Sequence, residues 1–268
     1  MASPTLRQSV TGLSDQALAD LRKAITGMQA LTDNRGFNYQ AGIHGVNQHK
    51  CWHHNTLGDN GPTLTYPLFL PWHRAYLLQF EQAMQDIAPT SALAWWDWRT
   101  DDPNADQVPA AYSDAQDPDG NPNPLLKSHI DYPNARPKLN RDTRRFPGTG
   151  GGSLPTPGDV NQVLGISDFF TFSDQAEGLH DQVHGWTGGN GGDMAVVNVA
   201  AFDPIFWAHH TMIDRLWWQW QQQYGPATGI TTEMLNAVLD PFPQKVSDVL
   251  YVEALGYSYA ATTSEVPA

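Results

Sequence analysis

Residues 203–220 read DPIFWAHHTMIDRLWWQW. Asp203-Pro204 looks like a helix start, a capping carboxylate followed by a proline suited to the first helical position. The apolar run then carries the helix through Trp220 to about Tyr224, ahead of Gly225-Pro226. A helix this apolar belongs in a core, yet it holds two adjacent histidines, His209 and His210. Phe206 lies one turn before His210 and Asp214 one turn after it, on the same face. A buried imidazole needs a partner, and a carboxylate at Asp214 can hold a ring nitrogen or brace a neighbouring helix.

Three more helices can be read outward from this one. Ser14 is placed to cap a helix running to about Met28, with Leu18, Leu21, Ile25 and Met28 at helical spacing. FLPWHRAYLLQFE (69–81) opens another at about Pro71, which Pro89 ends. A further helix runs from about Ser173 to Trp186 and stops at Gly188-Gly189. Residues 32–68 read mostly as loop. Residues 99–165, rich in Pro, Gly, Asn and Asp, read as a long irregular excursion, and a loop of that length borders a functional site more often than not. Val249 to Val252 looks like a short strand. The expectation is a mainly α single domain over residues 1–268. It would be a four-helix bundle holding metal sites in its core, with long irregular loops and a few short strands.

The chain has 268 residues, with 15 Lys+Arg against 28 Asp+Glu, a formal charge of −13 and a pI of about 4.9. Hydrophobic residues at 40% are enough for a core and argue against disorder. An acidic chain with no basic cluster is a poor partner for nucleic acid. No apolar run approaches the roughly 18 residues of a membrane span. The start, MASPTLRQSV, shows neither an apolar signal segment nor a twin arginine, so the protein is expected to be cytoplasmic or exported without a visible signal. The single cysteine, Cys51, rules out an internal disulfide.

The ten histidines are clustered. His44, His49, His53, His54 and His73 fall in one stretch, His180, His184, His209 and His210 in another, and His129 stands alone as a surface residue. His180 and His184 are four apart and share a helix face, so two nitrogens can reach one ion. Ordinary surface histidines on an amphipathic helix are the plain alternative. His73 sits in an apolar helix start and needs a partner. His44 and His53 come from loops before it, while His49 and His54 have the character of solvated loop residues. A thiolate-rich zinc site is impossible with one cysteine, and no HExxH pattern occurs. Six neutral imidazoles, three per metal, suit copper. They add no negative charge, so an oxidised metal pair stays cationic and attracts an anionic oxygen ligand. The tryptophan groups Trp95, Trp96 and Trp98, and Trp217, Trp218 and Trp220, read as core packing. Arg74 reads as one half of an ion pair with Asp214 or Asp97.

Five segments carry a family resemblance. FLPWHRAYLLQFE (69–81) resembles the first copper signature of the tyrosinase, catechol oxidase and molluscan haemocyanin family, and DPIFWAHHTMID (203–214) the second, in which the second histidine of the pair is the ligand. LHDQVHGWTGG (179–189), LAWWDW (93–98) and LGYSY (255–259) are similar to three further family segments, in the family's order. The resemblance runs from about residue 7 to 259.

It implies two copper ions with dioxygen as co-substrate. His44, His53 and His73 would bind the first copper, and His180, His184 and His210 the second. Cys51 would join His53 through a thioether. Glu177 falls where many members carry a glutamate that orients a water. Arg7 with Tyr257 or Tyr259 would fasten the chain ends. Two departures stand out. Twenty positions separate His53 from His73, a longer interval than the family's, through an insertion NTLGDNGPTLTYP (55–67) that leaves His54 and His49 as alternatives to His53. Asp181 replaces the family's usual Asn, and with Glu177 it makes a carboxylate pair in which one pKa would be raised. Gly185, after His184, would widen the substrate entrance, and no segment is left for a domain that covers it. The expected function is oxidation of o-diphenols to o-quinones, with hydroxylation of monophenols ahead of it, assisted by Glu177 and Asp181 as catalytic carboxylates. A catechol or o-aminophenol oxidase and a haemocyanin-like dioxygen carrier share the ligand set. The implied partners are small phenols and, since some exported members of the family leave with a partner protein, a copper-delivery partner, with neither nucleic acid nor membrane.

Overall fold

The computed structural model describes residues 4–46, 50–58, 61–102, 108–132 and 138–261. The helices are α1 (Asp15–Ala30), α2 (Phe37–His44), α3 (Phe69–Gln85), α4 (Ala110–Ser113), α5 (Pro157–Leu164), α6 (Phe169–Gly188), α7 (Val197–Ala200), α8 (Ile205–Tyr224) and α9 (Thr232–Leu235). Among the described residues six short strands, β1 (Thr5–Arg7), β2 (Trp52–His53), β3 (Thr56–Leu57), β4 (His129–Tyr132), β5 (Leu139–Asp142) and β6 (Tyr257–Tyr259), form three two-stranded sheets, β1-β6, β2-β3 and β4-β5. The fold is mainly helical, as the sequence predicts. Helix α3 packs against α1, α6 and α8, and α6 also packs on α8.

The helix ends follow local chemistry. The Ser14 hydroxyl accepts the Ala17 N–H at 3.2 Å and starts α1 where expected. Helix α6 opens four residues ahead of Ser173, because the Asp168 carboxylate caps Thr171 N–H at 2.9 Å. That extra turn is held by Phe169 and Phe172, both packed on Trp220. Helix α8 is buried around most of its circumference, and Trp207 lies face to face with Phe80 of α3.

Several expectations need correction. Residues 32–68 are not all loop, since α2 occupies Phe37–His44. Its sequence, FNYQAGIH, has no amphipathic stripe because nearly every side is covered; Phe37, Gln40, Ala41, Ile43 and His44 are all buried. His44 therefore ends a helix, and His53 lies on a strand rather than in a loop. The excursion at 99–165 contains α4, α5 and the β4-β5 hairpin. Val249 to Val252 is not a strand: a 3-10 turn, Val246–Val249, ends there, and the strand of the tail is β6. Arg74 pairs with Asp214 at 2.5 Å, whereas Asp97 takes Arg99 at 2.7 Å. His129 is exposed and meets Asp142. The tryptophans named above are buried, Trp218 only partly.

The two ends of the chain meet. Strand β1 pairs in parallel with β6, with Arg7 opposite Tyr259. Arg7 donates to both Glu81 oxygens at 3.2 and 2.9 Å and to Asp214 Oδ2 at 3.2 Å, and its guanidinium lies 3.5 Å over the Tyr257 ring. The Tyr257 and Tyr259 hydroxyls donate to the same Asp214 oxygen at 2.7 and 2.5 Å. Asp214 thus braces α3 and both chain ends, and it does not hold the ring of His210. Burial pushes its pKa up, but Arg74 and Arg7 outweigh that and keep it below the ordinary 3.8.

Candidate metal centre

Four elements and one hairpin deliver the histidines. His44 is the last residue of α2, His53 lies on β2, His73 on the first turns of α3, His180 and His184 one turn apart on α6, and His210 on α8. Ligand atoms of His44, His53 and His73 lie within 4.8 Å of one another, and so do those of His180, His184, His209 and His210. The groups adjoin, since the rings of His73 and His210 stack at 4.5 Å between centroids.

Partners at Nδ1 decide which nitrogen is free in five of the six rings, while His210 Nδ1 is buried without one. His44 Nδ1 faces the Val197 carbonyl at 3.1 Å, His73 Nδ1 that of Phe69 at 2.8 Å, and His184 Nδ1 that of Met194 at 2.7 Å. A carbonyl only accepts, so in these three rings Nδ1 carries the proton and Nε2 keeps its lone pair. His180 Nδ1 meets Asp181 Oδ1 at 3.0 Å, and His53 Nδ1 lies 3.4 Å from Glu177 Oε1. The Nε2 atoms then converge, His44 on His53 at 3.4 Å and both His180 and His184 on His210 at 3.2 Å. Two nitrogens bound to one ion at about 2.0–2.1 Å and a tetrahedral angle stand roughly 3.3 Å apart. Burial, reinforced by neighbouring imidazoles, holds His44, His73, His180 and His210 well below the usual 6.5. Burial also takes His184 down to about 4. These are neutral rings at pH 7. His73 Nε2 is buried with no hydrogen-bond partner. Five of the six rings turn a lone pair inward, a set that suits a cation, and an imidazole-only donor set fits copper. The residues present therefore fit a dicopper centre.

His209 also lies in the second group. Sequence reasoning set it aside, and its neighbour His210 makes the close Nε2 approaches. The His209 ring is fully buried and stacks on His180 at 5.2 Å, and burial lowers its pKa well below 6.5. Phe206 packs on His210 at 4.0 Å.

Of the alternatives at the first group, the structure turns His53 inward and His54 outward, while His49 lies outside the described residues. His54 and Asn55 form the β2-β3 turn with φ of 45° and 61°, the left-handed pair that a two-residue hairpin demands. The turn clips onto α6: His54 N–H donates to Glu177 Oε1 at 2.8 Å, and His54 Nε2 meets Asp181 Oδ2 at 3.0 Å. Burial lowers the His54 pKa, but Glu177 and Asp181 outweigh it and leave it raised. Burial and Glu177 raise that of Asp181 against the pull of His54, the direction the carboxylate pair implies. Cys51 is fully buried just ahead of β2.

A cavity of about 230 Å³ reaches both groups. His44, His53, His180, His184, Asp181 and Gly185 line one part of it, and Met194, Ala195, Val197 and Ala200 form an apolar wall. Nothing would lie within 4 Å of a Cβ on Gly185, so that side is open. The wall and the carbonyls of Met194 and Val197 were beyond sequence reasoning, because a backbone acceptor leaves no mark on residue type. Among the described residues, no helix is long and apolar enough to cross a membrane.

Comparison with known proteins agrees with this geometry. The family model for the common central domain of tyrosinase matches residues 34–223. A tyrosinase of Streptomyces antibioticus is 35% identical over 229 residues, covering 75% of this chain and 82% of that protein. The solved tyrosinase of Burkholderia thailandensis superposes with a TM-score of 0.80 at 23% identity, over 99% of this chain and 75% of that one. A functional unit of octopus hemocyanin superposes at 0.75 and 24% identity, over 96% and 68%. With its two histidine groups in the places the family motifs require, the chain belongs to the tyrosinase family of type-3 copper oxidases.

Proposed function

We propose that this protein oxidises o-diphenols to o-quinones with dioxygen, and hydroxylates monophenols ahead of that step. The observation that carries this reading is the open cavity over both histidine groups. Its 230 Å³ exceeds the roughly 150 Å³ that suffices for a benzene ring, and its apolar wall suits an aromatic face. When bound, the copper pair supplies the electron transfer between phenol and dioxygen. His44, His53 and His73 would hold the first ion, and His180, His184 and His210 the second.

The remaining chemistry falls to the chain's own side chains. A phenol has to lose a proton of pKa about 10 before its oxygen can serve as a ligand. Asp181 has both oxygens engaged, Oδ1 by His180 Nδ1 and Oδ2 by His54 Nε2. Unlike Glu177, it lines the cavity and is half exposed, so its remaining lone pairs are within reach and we assign it the acceptor role there. Glu177 is buried and its Oε1 already faces His53 Nδ1 and His54 N–H, so its part is to orient His53. Gly185 leaves the entrance clear. A thioether between Cys51 and His53 would lock that ring further, and the intact mass, two hydrogens lighter once formed, reads it directly.

Copper-loaded protein is tested with a monophenol, an o-diphenol and an o-aminophenol, with oxygen uptake as readout. Turnover of the first two is the expected result. Turnover of the diphenol or aminophenol alone leaves a catechol or o-aminophenol oxidase. Reversible oxygenation without turnover of any of them makes the protein an oxygen carrier, as its likeness to hemocyanin units would then mean. In Asp181→Asn the ratio of monophenol to diphenol activity should fall; an unchanged ratio removes the proton-acceptor role.

A further inference from the structure

The apolar wall of the cavity is one short run of chain, the 3-10 turn Asp193–Ala195 followed by α7. Its backbone serves both histidine groups. Met194 O accepts from His184 Nδ1 at 2.7 Å, and Val197 O from His44 Nδ1 at 3.1 Å. Four consecutive residues thus set the ring orientation of one histidine in each group. The fit has no slack. A Cβ on Gly188, the last residue of α6, would stand 2.2 Å from Ala195 N, and one on Gly45, directly after His44, 2.4 Å from Asn198 Cα.

Taken alone, this run is weakly built. Helix α7 has four residues and no side-chain cap, and Val196 and Val197 are 48% and 41% exposed. Its anchor is Asp193. That buried carboxylate receives Arg141 through both terminal nitrogens, at 2.8 and 2.5 Å, and Arg144 N–H at 2.7 Å, while Asp193 N–H donates to Arg144 O at 2.7 Å. Arg141 stands on β5, in a surface hairpin whose described residues, Arg141 included, do not line the cavity.

We propose that Arg141 is a positioning residue for the copper centre. Through Asp193 it fixes the 194–197 run, and with it the two carbonyls that aim His184 and His44. The proposal rests on reading the two histidine groups as copper sites. The forked contact is what matters, because a guanidinium on both carboxylate oxygens sets orientation as well as distance, which a lysine ammonium does not. When the Met194 carbonyl shifts, the His184 ring turns with it and its Nε2 leaves the line to the ion. Met194 adjoins Asp193 and Val197 lies three residues further on, so the effect falls first on the ion held by His184.

The test compares wild type, Arg141→Met and Arg141→Lys, each loaded with copper and then exposed to excess chelator. Copper release is followed over time, and the metal-free proteins are melted in parallel. Arg141→Met should release one of its two coppers about 10- to 100-fold faster. Its metal-free form should also melt lower than wild type, because Asp193, only 4% exposed, is left with the Arg144 N–H alone, so release is compared at a temperature well below both melting points. Arg141→Lys should recover only part of the loss. Wild-type release rates in Arg141→Met overturn the proposal. So does equal acceleration for both coppers, which would make the pair a support of the fold as a whole, and so does full recovery with lysine. A wild-type protein that takes up fewer than two coppers overturns the copper reading itself, and the positioning role with it.

Discussion

His210 Nε2 stands 3.2 Å from the Nε2 atoms of both His180 and His184, so the second histidine group turns on this one ring. His210→Ala should bring the copper content from two ions per chain toward one, measured by metal analysis after dialysis, and abolish oxidase activity. Retention of two tightly held ions would mean that His209, buried in the same group, takes its place. Glu177 makes a different prediction. Glutamine keeps an acceptor for His54 N–H but removes the charge facing His53 Nδ1. Glu177→Gln should therefore weaken copper binding at the first site by about tenfold or more, as seen in a competition titration. At this scale the sequence was informative about side chains and silent about backbone. His73 and His210 stand out because imidazoles in apolar helices need partners, and His180 and His184 because a spacing of four puts both on one helix face. The insertion left His54 and His49 as alternatives to His53, which the Cys51-Trp52-His53 pattern favoured and which the hairpin turns inward while His54 sits in its turn.

At the scale of elements, the β2-β3 hairpin carries His53 on a turn whose two residues both have positive φ. Asn tolerates that region and a β-branched residue does not. Asn55→Val should cost about 1–2 kcal/mol in urea unfolding, while Asn55→Gly should be neutral within error. The long helices were legible because capping chemistry and apolar spacing agreed, as at Ser14 and along 203–224. Helix α2 was not. Its Gly and Asn lower helix propensity, and its stability comes from burial on several sides, which erases the periodic pattern that marks an amphipathic helix. The excursion at 99–165 was read as irregular for a related reason. Its hairpin and short helices are held by ion pairs such as Arg141 with Asp193 and Arg145 with Asp203, and such partners are distant in sequence.

At the scale of the whole molecule, Asp214 ties α8 to α3 and to both chain ends through Arg74, Arg7, Tyr257 and Tyr259. Asp214→Asn leaves two buried guanidinium groups short of charge and should destabilise the metal-free protein by about 3–5 kcal/mol at pH 7, measured by urea unfolding. The pH dependence has a definite sign. The folded pKa of Asp214 lies below the ordinary 3.8, so its contribution is complete above that value and is lost as pH falls through the depressed one. Wild type and Asp214→Asn should thus differ most near neutrality and converge below pH 3.8. A gap that widens in acid would contradict the ion pairing.

The side-by-side, same-direction pairing of β1 and β6 also has a mechanical consequence. Tension applied by pulling on the two termini runs along these strands in opposite senses, so their hydrogen bonds are strained together in shear instead of peeling open one after another. The guanidinium of Arg7, wedged against Glu81 and Asp214, would have to be dragged through the interior at the same moment. Stretched in an optical trap, the chain should resist up to one abrupt rupture, with little gradual yielding before it.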